Sequence, residues 1–250
     1  MGHDRGRERR TDSGASILVQ GDVVTKVHRA GTDVALLQRR LDAVAGAPFV
    51  QPLGPVRTQD VAGVPYAVTR WPRVRTADPD DPPWAAAGAL LAELHRCGVP
   101  PGLPGPTWPE RVVRARARTD VPLLRSLGDD LAAAASHHPQ SQTLIHGDWH
   151  LGQLGQLDGR WLLLDPDDLA VGDPAWDLAR PAGFWAAGLL DDAAWHAFTA
   201  AHGLEPDPWP RLDLPARCAV YVATVRAVTH RQATADALLR SCARMARWRA

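Results

Sequence analysis

The chain has 250 residues, an apolar fraction of 45%, and 28 basic against 28 acidic side chains, so its formal net charge is zero. This length is enough for one large domain or two lobes with a sizeable core. The lack of a basic excess argues against a dedicated nucleic-acid-binding protein. The charged first residues lack the apolar core of a secretory signal, and no apolar stretch is long enough to span a bilayer, so we expect no membrane partner.

Cysteine usage predicts a reducing compartment. The three cysteines are scattered and odd in number, at Cys97, Cys218 and Cys242. They form neither a disulfide framework nor a close metal-binding spacing. We therefore expect a cytoplasmic protein.

One basic residue differs from all the others. The 28 basic side chains comprise 27 arginines and a single lysine, Lys26. Lysine carries a compact point charge and arginine a planar fork, so the two do not replace one another at a tight site. Lys26 therefore marks either a functional position or a chance survivor of a codon bias towards arginine.

The amino-terminal part of the chain predicts β structure. Residues 1–13 are polar and without periodicity, which is typical of disorder. The segment SILVQGDVVTKVH (16–28) predicts a hairpin whose two-residue turn is Gly-Asp. In that register Ile17 faces Lys26, so Lys26 lies inside a strand rather than on a loop.

A helix and a further strand complete this first lobe. Thr32 or Asp33 can cap a helix that runs to about Val44. Residues 64–71, VPYAVTRW, form the best following strand. Residues 14–72 are thus predicted to form a small, antiparallel β lobe with one helix.

A connector rich in proline and aspartate at residues 73–83 separates this lobe from a mainly helical second lobe, residues 84–250. Asp81 as N-cap and Pro82 at the first helical position predict that a helix starts there. The run TWPE from Thr107 predicts a capping box for the next helix. A helix near 122–137, a β segment over 143–165 and further helices to Trp248 follow in the sequence.

Arginines recur on the helix that begins near residue 108. They could form a nucleic-acid-binding face, but a solvated face is the commoner role. These residues are Arg111, Arg114, Arg116 and Arg118. We expect no nucleic-acid partner.

Residues 144–177 carry the most informative pattern. Asp-Gly at 158–159, between two apolar runs, predicts a tight hairpin in which Gln153 and Asp165 leave the same end. Asp148 lies on the loop just upstream of that end. Amide and carboxylate oxygens suit a hard cation such as Mg²⁺. A separate nearby carboxylate can orient and deprotonate a hydroxyl.

Three motifs in this region resemble those of one known family. They are HGDWHLGQ (146–153), LLLD (162–165) and GDPAWDLA (172–179). Their order and spacing resemble the aminoglycoside phosphotransferase family of the protein-kinase-like superfamily, with its motifs H-G-D-x-H-x-x-N, a strand ending in I-D, and G-D-P-x-x-D-L-A. The resemblance implies an α+β, bilobal protein-kinase-like fold with a small β-rich N-lobe and a larger, mainly helical C-lobe.

The resemblance also implies the residues of an active site. It implies Asp148 as the catalytic base and Lys26 as the contact to the nucleotide phosphates. It implies Gln153 and Asp165 as ligands of Mg²⁺. The implied reaction moves the γ-phosphate of ATP or GTP to a hydroxyl of a sugar, an aminoglycoside or a related metabolite.

Two residues of the same motifs have implied structural roles. The resemblance implies that His146 braces the catalytic loop and that Asp177 ties this loop to the following helix. His146 and His150 also have the spacing of zinc ligands, but no third ligand is near them in the sequence, which disfavours zinc. Trp149, inside the loop, is a candidate for shaping the acceptor pocket.

The chain departs from the family pattern at three points. Gln153 stands where the family has an asparagine. No glutamate occurs between Glu8 and Glu93, so the usual ion-pair partner of the lysine is missing, with Asp33 as a candidate substitute. No glycine-rich loop is recognisable.

These departures leave alternatives open. One is a pseudokinase that binds a nucleotide without catalysis, and another is a Ser/Thr kinase acting on a peptide in a tailoring pathway. The sequence leaves open the acceptor, the choice between ATP and GTP, and the oligomeric state.

Overall fold

The structure is a computed structural model that describes residues 7–10, 14–139 and 141–247. The strands are β1 (Arg7–Arg10), β2 (Ser16–Gln20), β3 (Val23–Val27), β4 (Arg57–Val61), β5 (Val64–Pro72), β6 (Arg75–Thr76), β7 (Thr143–Ile145), β8 (Leu154–Leu157), β9 (Arg160–Leu163) and β10 (Ala170–Gly172). The helices are α1 (Val34–Ala43), α2 (Trp84–Leu94), α3 (Trp108–Arg116), α4 (Pro122–Ser136), α5 (Ala175–Ala186), α6 (Asp192–His202), α7 (Trp209–Thr229) and α8 (Ala235–Arg247). None of the described helices is long and apolar enough to cross a membrane.

The chain divides into two compact units. The first comprises the described residues of Met1–Pro82, Pro100–Leu103 and Leu151–Asp167. The second comprises Pro83–Val99, Pro104–His150 and Asp168–Ala250. The first unit is β-rich with one α-helix, and the second is mainly helical.

The first unit is built on an antiparallel sheet in the order β1-β2-β3-β5-β4. The hairpin of β2 and β3 has the predicted register, with Ile17 opposite Lys26, and turns at Gly21 with a φ of +56°. The other neighbour of β3 is β5, where Thr69 lies opposite Lys26. Lys26 is therefore in the central strand of five, buried in the protein.

The amino-terminal prediction is wrong in part. Residues 1–13 were expected to be disordered, but Arg7–Arg10 form β1 and pair with β2, because the exposed edge of β2 offers unpaired backbone groups. The other residues of that segment, like Trp248, lie outside the described residues.

The hairpin of β8 and β9 forms as predicted around residues 158–159. Asp158 and Gly159 have φ angles of +49° and +78°, as a two-residue turn of this kind requires. Leu154 lies opposite Leu163. One step further, the Leu164 amide donates a hydrogen bond of 2.9 Å to the carbonyl oxygen of Gln153.

This hairpin belongs to the first unit, whereas the sequence analysis placed all residues after 84 in the second lobe. The reason lies in backbone pairing. β8 pairs with β6, and Leu163 forms an isolated bridge with Phe49. These contacts are with residues of the first unit, so the metal-site motif joins the lobe that carries Lys26.

The second unit packs its helices around a large apolar core. α5 packs against α7, and α2 packs against α6. β7 and β10 form a short antiparallel pair that the sequence analysis did not resolve as a separate sheet. The largest fully buried side chains in this unit include Trp108, Trp149, Phe198 and Tyr221.

Two predicted helix starts are wrong in detail. α2 begins after Pro83 rather than at Pro82, with no capping side chain, because a residue that precedes proline disfavours helical backbone angles. Thr107 does precede α3, but it caps no backbone amide. Its hydroxyl oxygen instead accepts a hydrogen bond of 3.2 Å from Nε of Arg111.

The contact between α2 and α6 leads to a stability prediction at Gly88. A methyl group there would lie 2.1 Å from the carbonyl oxygen of Phe198, which is backbone and cannot turn away. In an open helix, glycine to alanine would stabilise by up to about 1 kcal/mol. Here we expect Gly88→Ala to destabilise by roughly 1–3 kcal/mol, measured by urea unfolding.

The matched control is Gly98→Ala, since no heavy atom lies near the position of its added methyl group. It should unfold at nearly the wild-type urea concentration. A Gly88→Ala protein that is as stable as the wild type would contradict the described packing of α2 on α6.

Candidate active site

Lys26 holds two carboxylates within the first unit. Its Nζ lies 2.5 Å from Oδ1 of Asp165 and 2.8 Å from Oδ2 of Asp167. The side chain of His28 contacts the same oxygen of Asp167, with 3.1 Å between Nδ1 and Oδ2. We call these four residues the lysine cluster.

Sequence order explains how this cluster forms. Lys26 lies in β3, and His28 directly follows its end. Because the two are two residues apart in extended backbone, both side chains point to one face of the sheet. Asp165 follows β9 directly and has a φ of +55°, a left-handed conformation that aspartate tolerates better than most residues. The change of direction there leads into the short 3₁₀ turn Pro166–Asp168, which contains the second acid.

Burial and charge act against each other in the lysine cluster. Burial disfavours the ammonium of Lys26, but the two carboxylates outweigh it and raise the pKa of Lys26 above its usual value. Burial, and then the neighbouring charge of Asp167, raises the pKa of Asp165. Burial also disfavours ionised Asp167, yet Lys26 and His28 hold its pKa well below its usual range.

The donor groups of this cluster fit a magnesium ion. Two carboxylates share one ammonium, and burial, followed by the charge of Asp167, raises the pKa of Asp165. The half-buried side-chain amide of Gln153 has no hydrogen-bonding partner among the described residues, so its carbonyl oxygen is available as a third hard donor. Mg²⁺ typically takes one or two carboxylates and completes its shell with water and phosphate oxygens.

The predicted substitute for the missing glutamate is not formed. Asp33 caps α1, where its Oδ1 accepts a hydrogen bond of 2.9 Å from the Leu36 amide. The described partners of Lys26 are Asp165 and Asp167 instead. The sequence analysis therefore named the wrong candidate for the partner of this lysine.

In the second unit, Asp177 holds the loop that carries Asp148. One carboxylate oxygen of Asp177 accepts a hydrogen bond of 2.7 Å from the His146 amide. The other accepts a hydrogen bond of 2.8 Å from the Gly147 amide. His95 contributes a third contact, 3.0 Å from its Nε2 to Oδ2. These are the contacts of the structural role that the resemblance implied for Asp177, and His146 is fully buried beside it.

Gly147 is required for the shape of this loop. Its φ is +80°, and a methyl group there would lie 2.2 Å from the carbonyl oxygen of Asp168. Both facts exclude any larger residue without a backbone shift. The loop thus presents the next residue, Asp148, in one fixed position.

Asp148 is bound by two arginines of the second unit. Oδ1 accepts from Nη1 of Arg111, on α3, and from Nη2 of Arg180, on α5, the latter at 3.0 Å. Arg111 uses its other terminal nitrogen, Nη2, for Asp168 at 3.0 Å. We call Asp148, Arg111, Arg180 and Asp168 the arginine cluster.

The arginine cluster leaves one oxygen of Asp148 open. No described residue donates a hydrogen bond to Oδ2, and 27% of the side chain is exposed. Burial raises the pKa of Asp148, but Arg111 and Arg180 outweigh it and lower the pKa below its usual value. Asp148 is therefore ionised and able to accept a proton at Oδ2.

Two sequence-based expectations about neighbouring residues are wrong. Arg111 is not on a solvated face, since it binds Asp148 and lies 5.4 Å from the ring of Trp108. Trp149 is 1% exposed and stacks on Phe198, so it belongs to the core rather than to a pocket. Burial and then Arg180 lower the pKa of His150 to about 4.

The zinc interpretation gains no support from the structure. Within residues 7–10, 14–139 and 141–247, no three His, Cys, Asp or Glu side chains are grouped so as to hold a metal ion. His146 and His150 therefore lack a third ligand in space as well as in sequence.

The sequence analysis missed Arg180, and it did not identify Arg111 as a residue that binds Asp148. Arg180 directly follows the motif GDPAWDLA. The sequence indicates it only through this position on α5, the helix that begins within the motif. Arg111 is one of four arginines on the same predicted helix, and nothing in the sequence distinguishes it from the other three.

Comparisons with known proteins agree with this geometry. The model of the family described as the phosphotransferase enzyme family matches residues 10–215. A search of curated proteins gave no match. Solved structures with this fold include an amicoumacin kinase in complex with AMP-PNP, Ca²⁺ and Ami, which is 14% identical with a TM-score of 0.68. The match covers 97% of this chain and 85% of that chain.

Two further structures are similar in the same way. A choline/ethanolamine kinase family protein from Mesorhizobium loti is 16% identical with a TM-score of 0.62, and the match covers 95% of this chain and 87% of that one. An aminoglycoside phosphotransferase from Streptomyces rimosus is 18% identical with a TM-score of 0.62, covering 88% and 94% respectively. At these identities the similarity shows a shared fold, and the predicted α+β, protein-kinase-like fold is confirmed.

The family model matches well over half of the chain, and the matched range includes all three motifs. The predicted family is therefore confirmed. The protein belongs to the phosphotransferase enzyme family, and it is a phosphotransferase with an alcohol group as acceptor.

Proposed function

We propose that the protein is an ATP-dependent, Mg²⁺-dependent small-molecule O-phosphotransferase that acts on a sugar, an aminoglycoside or a related metabolite. The observation that carries the proposal is the open Oδ2 of an ionised Asp148 on a loop fixed by Asp177. The AMP-PNP bound by the amicoumacin kinase supports ATP as the donor. We place the reaction in the cytoplasm, as the free cysteines suggest.

In this mechanism Asp148 acts as the base. The acceptor hydroxyl donates a hydrogen bond to Oδ2, and its oxygen attacks the γ-phosphorus of the nucleotide. The bond from that phosphorus to the leaving oxygen breaks, and the proton of the hydroxyl passes to Oδ2. Phosphoryl transfer asks for positioning and charge stabilisation more than covalent catalysis, and the arginine cluster fixes the base.

The lysine cluster supplies charge to the phosphates. Lys26 keeps its ammonium charge at neutral pH, because its pKa is raised. Asp165 and Gln153 would hold Mg²⁺, with Asp167 as a further carboxylate beside them. A bound Mg²⁺ would neutralise charge on the phosphate oxygens. Lys26 would bind phosphate oxygens through its ammonium.

A catalytically silent nucleotide-binding protein is the second candidate. The missing glutamate favours it, because Lys26 is held by Asp165 and Asp167 and by no residue of α1. Calorimetry separates the two candidates. Nucleotide binding that is indifferent to Mg²⁺ supports the silent protein, whereas binding that requires Mg²⁺ supports the enzyme.

The first prediction concerns the base. Asp148→Asn keeps the shape of the side chain but removes its ability to take a proton, so turnover should fall at least about a hundredfold. Nucleotide consumption over a panel of sugars, aminoglycosides, choline-like alcohols and nucleosides, with ATP and with GTP, measures it. The control Asp120→Asn alters an exposed acid and should keep full turnover. Equal turnover of Asp148→Asn and wild type would refute the role of Asp148.

The second prediction concerns pH. Arg111 lowers the pKa of Asp148, so Arg111→Gln should raise it and move the acid limb of the kcat profile to higher pH. The sign follows from the direction of the shift: a base with a lowered pKa loses activity only at low pH, and removing the cause brings that loss closer to neutrality. The matched control is Arg114→Gln, an exposed arginine on the same helix. An unchanged acid limb in Arg111→Gln would contradict the electrostatic account.

The third prediction concerns the metal. Asp165→Asn removes a carboxylate ligand, so calorimetry should show at least about tenfold weaker binding of ATP in the presence of Mg²⁺ and little change in its absence. Asp60→Asn, at an exposed acid near the end of β4, is the control in the same unit. The metal assignment fails if the two variants bind Mg²⁺ with ATP equally well.

A further inference from the structure

Arg180 has unused hydrogen-bond donors beside the proposed base. Its Nη2 donates to Oδ1 of Asp148 at 3.0 Å, and this is its one hydrogen bond with a described residue. A guanidinium carries five N–H donors in a fixed fork. The other four N–H donors, on Nε, Nη1 and Nη2, therefore have no described partner, although 77% of the side chain is shielded from solvent. We call these unused donors the open edge of Arg180.

The use of Arg111 is different. Its Nε donates to Thr107, and its two terminal nitrogens bind Asp148 and Asp168. Arg111 is thus fully engaged by the protein and positions the base. Arg180 combines one bond to the base with an open edge, which is the arrangement of a residue that also binds a ligand.

The charges around Arg180 favour a negative ligand. Burial first, together with the positive charges of Arg111 and Arg226, lowers the pKa of Arg180 and outweighs Asp148, whose charge raises it. Arg226 and Arg180 likewise act on His150. The acids of the arginine cluster are Asp148, which both arginines share, and Asp168, which binds Arg111 at 3.0 Å. A positively charged acceptor would be repelled here, and an anion would relieve the mutual repulsion of the arginines.

We propose that the acceptor carries an anionic group, a carboxylate or a phosphate, which binds the open edge of Arg180 while the neighbouring hydroxyl meets Oδ2 of Asp148. This inference rests on the proposed function, because it names the substrate class of the same site. Arginine forms paired hydrogen bonds with carboxylate and phosphate oxygens, and two such bonds fix the orientation of the acceptor. The reaction is then directed to a hydroxyl acid or a hydroxyl phosphate rather than to a polycation.

The first experiment measures anion binding directly. Inorganic phosphate and acetate are titrated calorimetrically into the protein with saturating ADP and Mg²⁺, so that phosphate does not bind in place of the nucleotide. We expect Arg180→Gln to weaken the binding of at least one anion by at least about tenfold, since a charge-assisted hydrogen bond is lost. Arg180→Lys keeps the charge without the fork and should lie between the two.

The matched control is Arg217→Gln, an arginine on α7 that pairs with Asp213 on the surface. It should bind both anions like the wild type. Circular dichroism of each variant confirms that it is folded. Anion binding that is absent from the wild type, or equal in Arg180→Gln and wild type, overturns the inference.

The second experiment compares acceptors on one carbon skeleton. They are glycerol, glycerate, glycerol 3-phosphate and 3-amino-1,2-propanediol, assayed by nucleotide consumption. We expect glycerate or glycerol 3-phosphate to exceed the amine at least tenfold in kcat/KM, and Arg180→Gln to reduce that ratio. Preference for the amine overturns the inference while leaving the proposed function intact.

The two experiments separate the two failures. If none of these acceptors, and none of the larger panel, gives turnover that depends on Asp148, the proposed function fails. The anion inference is then decided by the calorimetry alone, because Arg180-dependent binding of phosphate or acetate needs no turnover.

Discussion

One lysine shared by two carboxylates is the interaction on which the proposed metal site of the first unit depends. The ammonium of Lys26 contacts both Asp165 and Asp167, and His28 also contacts Asp167. Removing Lys26 would leave two partly buried acids without the cation that they share, which is more costly than losing a surface pair. The strand that carries Lys26 and the hairpin that carries Asp165 are thereby held in one arrangement.

The same arrangement is the one that we propose for a divalent ion. Burial, and then the neighbouring charge of Asp167, raises the pKa of Asp165, and a second cation would favour its ionised form. In the second unit the pKa of the acid is shifted in the other direction. There two arginines hold Asp148 and lower its pKa, and one of them, Arg111, also binds Asp168. The first arrangement favours binding a cation, and the second favours a base that stays ionised together with an anionic ligand.

Much of the fold and the motif residues could be predicted from the sequence, because local rules govern them. The turn at 158–159 and the alternation of β3 fix the registers that place Asp165 and Lys26. Asp177 could be assigned from its motif. The arginines that flank Asp148 could not, since they come from helices 37 and 32 residues away, and only tertiary packing brings them to the loop. The same limit explains Trp149, whose burial depends on Phe198 in α6.

Helix ends and the chain start were less predictable for another reason. Pro82 suits a helix start, but it is followed by Pro83, and the helix begins after that residue. Thr107 also suits a helix start, but its hydroxyl oxygen accepts a hydrogen bond from Arg111 instead of capping a backbone amide. Arg7–Arg10 have no strand pattern of their own and pair because β2 presents an edge. In each case a neighbouring group overrides the local preference.

The central claim is that Lys26 holds Asp165 and Asp167, and that a divalent ion competes with its ammonium for these carboxylates. Because Lys26 is the single lysine of the chain, protein labelled with ¹⁵N at the lysine Nζ gives one side-chain signal for this site. The account predicts a signal that stays protonated well above the ordinary lysine pKa of about 10.4, and that shifts when Mg²⁺ and ATP are added. A signal that titrates like a free lysine and ignores Mg²⁺ with ATP would contradict it.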